Sequence, residues 1–421
     1  MEKTSDKNVL NYLVENGIID LDVIQNDIEM KKDEQILANH KYEIYFSESD
    51  NRWHSYLPDD SKKNGRKPVA KTKLEDLKKA IIQHYKDLEN RNLTVGQTFY
   101  AWLEEKKDEV VMGTINRYEQ DFNRFLKCIE NKKLKDYDDL NTINKLCLDK
   151  IKELKLDRKA FAKMKSLLIG MFKYGYRKKI TSIDIEVAFR NMNFPANNFV
   201  KKVTDPSKMV FSYDELPDIE EFLVNSDHPI DLGILLLLKT GLRVGEISAL
   251  EFKHFTPNGL YIEQMETKYK LNGKYHYEVV NHAKTECGTR TVLIPEHDMW
   301  ILDKIKQTRG DNVYSGQRIK TDTFVFLDAY GDRASTYVFR NRLYRVCDKL
   351  FDNRKSPHKI RKTYCTMLLE AKLPEDLITK QVGHASIETT RKHYQYTREG
   401  MKEEQKRQAL EREKLSKVAG L

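Results

Sequence analysis

One stretch constrains this chain more than any other. Residues 230–238 read IDLGILLLL, the strongest apolar run in the sequence, broken by Asp231 and Gly233. It is too short to cross a bilayer, which takes about 20 residues, and reads instead as a buried helix. A buried helix needs a domain around it. The composition supplies one: 39% of residues are hydrophobic, and 33% are charged and available for the surface. At 421 residues the chain is too long for one ordinary domain, and about two to four are expected.

Lys and Arg number 74 against 65 acids, a net charge of +9. That excess favours a polyanionic partner, of which DNA is the commonest. The positive charge also clusters: Lys62, Lys63, Arg66, Lys67, Lys71 and Lys73 fall within one short stretch. The five cysteines are odd in number and contain no C-x-x-C pair. A disulfide framework or zinc site is therefore not expected, and a reducing interior fits better. The opening MEKTSDKNVLNY lacks the apolar core of a signal peptide. The expectation is a soluble cytoplasmic protein with no metal, no cofactor and no membrane partner.

The fold class expected is mixed and mostly α. Residues 1–38 read as an N-terminal helical extension. Residues 39–91 change character, with strand-like runs at Tyr42–Phe46 and Trp53–Leu57 around the turn material SESDN. A basic turn, SKKNGRKPVAKT, leads towards a third strand. An amphipathic helix follows, with Thr72 and Glu75 spaced as a capping box. A small sheet plus one helix with Arg52, Lys62, Lys63, Arg66, Lys67 and Lys71 at its turns suits insertion into a DNA groove, the favoured reading over a generic fold with a solvated basic loop. Residues 92–192 read as all-helical, with helices expected from Thr94, over Thr114–Ile129 and over Arg158–Tyr176. The aromatic stripe of the last is core-like. Its interleaved Lys163, Lys173 and Arg177 fit phosphate contacts or simple solvation. Residues 193–210 form a linker with two prolines in its neighbourhood. Residues 211–400 read as an α+β domain, with Ser212 as a possible helix cap and one antiparallel sheet expected from GLYIEQME, YHYEVV and TRTVLIP. Residues 401–421 read as a charged tail helix.

Four segments of that last domain carry groups suited to phosphodiester chemistry. Such a reaction needs cations around the non-bridging oxygens, a nucleophile and a proton donor for the leaving oxygen. Arginine suits the first task because its planar fork holds two oxygens. TGLRVGEI places Arg243 in a turn after the apolar helix, with Glu246 three residues on to anchor it. AKTECGTR places Lys284 on the arm of a β-turn. PHKIRKT places His358 and Arg361 on one helix face. Gly383 and His384 precede Tyr394 by a short span. Each signal is weak singly; their joint occurrence in this order is what carries weight.

These four segments resemble the boxes of the tyrosine recombinases, the phage-type integrases, over most of residues 210–400. KYEIYFSES, RWHSYLP and KTKLEDLKKAI look like the arm-type DNA-binding domain of conjugative-transposon and phage integrases, and residues 93–190 like their core-binding domain. The resemblance implies that Arg243 and Arg361 bracket the scissile phosphate. It makes His358 a phosphate ligand that assists proton transfer, and Lys284 the general acid. His384 would hold the phosphate, and Tyr394 would attack to give a 3′-phosphotyrosyl link. It further implies no ATP or metal, and four protomers on two duplexes exchanging strands through a Holliday junction. Double-stranded attachment and arm-type sites, a dimer on one site, and an excisionase or host bending protein are the partners implied. Lys362 stands where the family often has histidine. Tyr396, two residues after Tyr394, is the competing nucleophile. Alternatives are a chromosome-dimer resolvase of the same superfamily, which usually lacks the basic β-rich domain, and a DNA-binding regulator without catalysis.

Overall fold

A computed structural model describes residues 20–59, 62–201, 208–226, 228–281, 288–310, 323–384 and 388. The chain divides into two compact units, Met1–Lys201 and Lys202–Leu421.

In the first unit, α1 (Leu21–Ala38) precedes a three-stranded antiparallel sheet of β1 (Tyr45–Ser47), β2 (Arg52–Pro58) and β3 (Arg66–Lys71), in that order. Alternation along β2 turns Trp53, Ser55 and Leu57 towards α2 (Leu74–Asn90), where Leu57, Leu77 and Ile81 form a small core. His40 pins the entry to the sheet, bonding Ser55 Oγ at 2.9 Å and Tyr85 Oη at 3.1 Å. The opposite face carries His54 and Tyr56, with Arg66 over the Tyr56 ring at 4.2 Å and Tyr45 stacked on His54. The capping box expected at Thr72 is not made: the N-cap is Lys73, without a side-chain cap bond. Thr72 follows directly on the last residue of β3, so the helix starts one residue too late for it. Glu75 and Asp76 instead lie in the first turn, at the positive end of the helix dipole.

Five helices follow: α3 (Val95–Lys106), α4 (Met112–Phe125), α5 (Leu140–Glu153), α6 (Arg158–Arg177) and α7 (Ile185–Asn191). Thr94 makes a full capping box, accepting from Gln97 N at 3.1 Å while Gln97 Oε1 accepts from Thr94 N at 2.9 Å. Asp139, Asp157 and Asp184 cap the helices that follow them. The aromatic stripe is core: Phe99 and Phe122 stack at 4.0 Å between centroids, and Phe161, Phe172 and Tyr174 are buried. Gly170 lets α6 approach Trp102, since a Cβ there would lie 2.5 Å from the indole.

In the second unit, α8 (Glu215–Val224) opens with a reciprocal pair: Ser212 Oγ accepts from Glu215 N, and Glu215 Oε2 accepts from Ser212 N. Then α9 (Pro229–Thr240) holds the apolar run, and every residue from Ile230 to Leu238 is buried. Both breaks in that run have a cause. A Cβ at Gly233 would lie 2.6 Å from the Phe339 ring. Asp231 accepts from Arg342 Nε at 2.8 Å and Nη2 at 2.5 Å, and from Ser226 Oγ at 2.6 Å. Among the described residues, no helix is long and apolar enough to cross a membrane.

After the short α10 (Val244–Ser248) come β4 (Phe255–Thr256), β5 (Gly259–Ile262), β6 (Gln264–Leu271), β7 (Lys274–Asn281) and β8 (Arg290–Leu293). They form two sheets rather than the single one expected: β4-β5-β8, and a separate β6-β7 hairpin. GLYIEQME therefore splits at Glu263. The reason lies in the buried polar residues of β6. Gln264 Nε2 donates to Ala249 O at 2.7 Å, and the Glu266 carboxylate accepts from Ser248 Oγ, Thr336 N and Arg333. These bonds hold β6 against α10 instead of beside β5. The described residues continue with α11 (Trp300–Gly310), α12 (Thr336–Leu350), α13 (Pro357–Glu370) and α14 (Glu375–Val382).

Candidate active site

The site grows from the end of α9. Gly241 is left-handed, with φ +65°, and a Cβ there would lie 2.2 Å from Tyr364 Cδ1, so only glycine makes this turn. The turn delivers Arg243 to the N-terminus of α10. Arg243 Nη1 donates to Glu246 Oε1 at 2.7 Å, its backbone N to Glu246 Oε2 at 2.8 Å, and Nη2 to Gly383 O at 2.8 Å. Its side chain stays 35% exposed. Glu246 is buried and also accepts from Arg290, at 3.0 and 2.9 Å. Desolvation alone would raise its carboxyl pKa. The hydrogen bond and charge of Arg290, with Arg243 and Arg361, override that and hold it at about 2.

Arg361 sits one turn along α13 from His358, which is exposed on the first turn. Arg361 is 1% exposed; its Nη1 donates to Gly241 O at 2.8 Å and its Nη2 to Val382 O. α14 ends on left-handed Gly383, and His384 follows, its N donating to Thr379 O at 3.2 Å. The His384 imidazole is buried, and its pKa is lowered to about 3. Desolvation is the largest cause, followed by the charges of Arg361, Arg243, Arg290 and His358. His384 is therefore neutral at pH 7 and offers both a donor and an acceptor. Above about 6.5, its ordinary pKa, it is neutral in folded and unfolded chains alike. Below that the unfolded chain takes up a proton the folded one refuses, so stability falls between pH 6.5 and about 3. A histidine NMR titration should find the His384 imidazole, assigned by loss of its signal in His384→Gln, still neutral at pH 5. A His384 midpoint near 6.5 would contradict this geometry.

The structure thus brings Arg243, His358, Arg361 and His384 around the turn after α14. Lys284, Tyr394 and Tyr396 lie outside the described residues. The basic residues expected at DNA are placed as follows. Arg52 and Arg66 project on the aromatic face of the small sheet, with Lys62 and Lys63 exposed in its turn. Lys67 and Lys71, also exposed, alternate to the other side of β3. Lys163 is exposed on α6, whereas Lys173 pairs with Glu186 at 2.8 Å and Arg177 with Glu105 at 2.9 Å. Among the described residues no group of three or more His, Cys, Asp or Glu could hold a metal ion.

Lys355 and Arg290 are among the charged groups that had no assigned role in the sequence. Lys355, 1% exposed, is buried against Glu215. Arg290 is the second partner of Glu246. Its signal was an arginine opening the otherwise apolar strand TRTVLIP, with nothing nearby in sequence to reveal the carboxylate it meets.

Residues 210–400 match the family model described as the Phage integrase family. Fold, site and family define a tyrosine recombinase. The domain at residues 210–400 is of the phage integrase family, and the matches mark a tyrosine site-specific recombinase of the integrase type. It is 24% identical over 244 residues to the integrase of Staphylococcus phage L54a, covering 52% of this chain and 69% of the relative. It is 28% identical over 203 residues to a XerC-like tyrosine recombinase of Caldanaerobacter subterraneus subsp. tengcongensis, covering 44% of this chain and about half, 49%, of that relative. Its fold is similar to that of the Tn1549 transposon integrase in complex with transposon right end DNA, with a TM-score of 0.57 and 18% identity over 72% of this chain and 95% of that one.

Proposed function

We propose that the chain integrates and excises a mobile element by cutting and rejoining DNA through a 3′-phosphotyrosyl intermediate. The observation that carries this reading is the convergence of Arg243, Arg361, His358 and His384 on one turn, with Glu246 balancing the charge. Arg243, partly exposed, and Arg361, buried beneath the turn it holds, bracket the scissile phosphate. His358 and neutral His384 donate to the phosphate oxygens. Tyr394 Oη attacks phosphorus, the P–O5′ bond breaks, and Lys284 protonates the leaving 5′ oxygen. A free tyrosine has a pKa of about 10, and the arginines favour its phenolate. The new phosphotyrosyl ester conserves the bond energy, so a 5′ hydroxyl from a second duplex reverses the step and rejoins the strands.

The aromatic and basic face of the β1-β2-β3 sheet suits arm-type DNA sites, which favours an integrase over a chromosome-dimer resolvase. Lys62, Lys63, Lys67, Lys71, Lys163, Lys173 and Arg177 are the further phosphate contacts of this reading. It also has two protomers on one core site, four around a Holliday junction, and an excisionase or host bending protein setting direction, all in the cytoplasm.

Trapping tests the reading. A nicked duplex spanning the joined ends of the element is incubated with protein and then denatured. Wild type is expected to leave a covalent protein–DNA adduct, and Tyr394→Phe to leave none while still binding. An adduct persisting in Tyr394→Phe moves the nucleophile to Tyr396. Binding without any adduct in the wild type refutes recombination.

A further inference from the structure

We infer that Arg290 is a positioning residue for strand cleavage, acting on the scissile phosphate through Arg243 and His384 without touching it. The inference rests on the reading of this site as the cleavage centre. Three successive carbonyls at the end of α14 are each taken by a different arginine. Arg290 Nε donates to Gln381 O at 3.1 Å, Arg361 Nη2 to Val382 O, and Arg243 Nη2 to Gly383 O at 2.8 Å. The last carbonyls of a helix lack partners within it and carry its negative dipole end, so they suit guanidinium groups. Here they gather three, and His384 is the next residue.

Arg290 differs from the other two in what it holds. Besides Gln381 O it donates to Gly288 O at 3.1 Å and to both oxygens of Glu246. Its side chain is only 7% exposed, against 35% for Arg243. The exposed arginine is the one able to meet a phosphate; the buried one fixes the carboxylate that aims it. The strand carrying Arg290 is itself stitched to α14. Gln381 Oε1 accepts from Leu293 N at 3.0 Å, and Gln381 Nε2 donates to Leu293 O at 2.8 Å. Arg290 and Gln381 thus join β8 to the His384 turn at two points, and Glu246 joins Arg290 to Arg243. Without Arg290 the Glu246 carboxylate loses its second cation and turns wholly onto Arg243, competing with the phosphate for that fork. Lysine is a poor substitute, because one ammonium cannot span two carboxylate oxygens and two carbonyls.

The test measures cleavage of two nicked duplexes spanning the element's joined ends. One has an ordinary scissile phosphate; the other has a methylphosphonate there, which removes the non-bridging charge that Arg243 neutralises. Losing one preorganised donor to a reacting centre costs about 10²–10³ in rate. Arg290→Gln is expected to lose roughly that on the phosphate and less than about tenfold on the methylphosphonate. Arg290→Lys is expected to fall between it and wild type on the phosphate. Each variant is scored by its own ratio between the duplexes, which cancels any loss of folded protein. Equal losses on both duplexes, or wild-type rates on the phosphate, overturn the positioning role. Wild type cutting neither duplex overturns the cleavage-centre reading itself, and this inference with it.

Discussion

Glu246→Gln is expected to destabilise residues 202–421 by about 3–5 kcal/mol, the usual cost of removing one partner from a buried ion pair. For a unit of this size that is on the order of 10 °C in melting temperature. Glutamine keeps the shape and one acceptor, but leaves Arg243 and Arg290 facing each other without the charge between them. The pH dependence identifies the cause. The Glu246 pKa is depressed in the fold, so its contribution is complete above its ordinary pKa, about 4.3, and is lost as pH falls towards about 2. The gap between wild type and Glu246→Gln should therefore be widest near neutrality and close across that acid range. His384 adds its own acid slope to both proteins and cancels in the difference. Chemical denaturation at several pH values reads this directly. A gap under 1 kcal/mol, or one that does not change with pH, would show that Glu246 does not balance the arginines. Adduct formation should fall with it, because Arg243 loses its anchor.

Arg361→Lys should be nearly as damaging. The Arg361 fork spans two helix ends, Gly241 O after α9 and Val382 O in α14. One ammonium cannot hold both, and a buried carbonyl left without a partner costs about 1–3 kcal/mol. The larger effect falls on chemistry. The turn carrying His384 loosens and the fixed charge beneath the phosphate moves, so cleavage should drop by about 10²–10³ or more. Binding should persist, because most phosphate contacts lie elsewhere and simply position the protein. Cleavage within tenfold of wild type, measured with the same nicked duplex, would remove Arg361 from the centre.

Local features of this chain were legible wherever the physics is local. The run at 230–238 is buried because nothing in it but Asp231 wants water. Thr94 caps α3 because Gln97, three residues on, returns its bond. Ser212 and Glu215 do the same before α8. The failures come where a distant partner decides. Thr72 loses its cap because β3 claims Lys71. GLYIEQME breaks because Glu266 meets Arg333, 67 residues away. Asp231 survives inside an apolar helix because Arg342 arrives from 111 residues on, and Lys355 is buried because Glu215 meets it across 140.

What the sequence determined by itself was a set of candidate groups and their order: Arg243 with Glu246, Lys284, His358 with Arg361, then His384 and a tyrosine. Residue type and spacing suffice for that, since they set which groups can take a phosphate and which share a helix face. The tertiary structure decided what each arginine contacts. Arg243 keeps a third of its side chain in solvent, Arg361 is sealed beneath the turn, and Arg290, unassigned before, completes the set. Exposure and hydrogen-bond partners are properties of helix ends and strands brought together from across the unit, and no local pattern in the chain contains them.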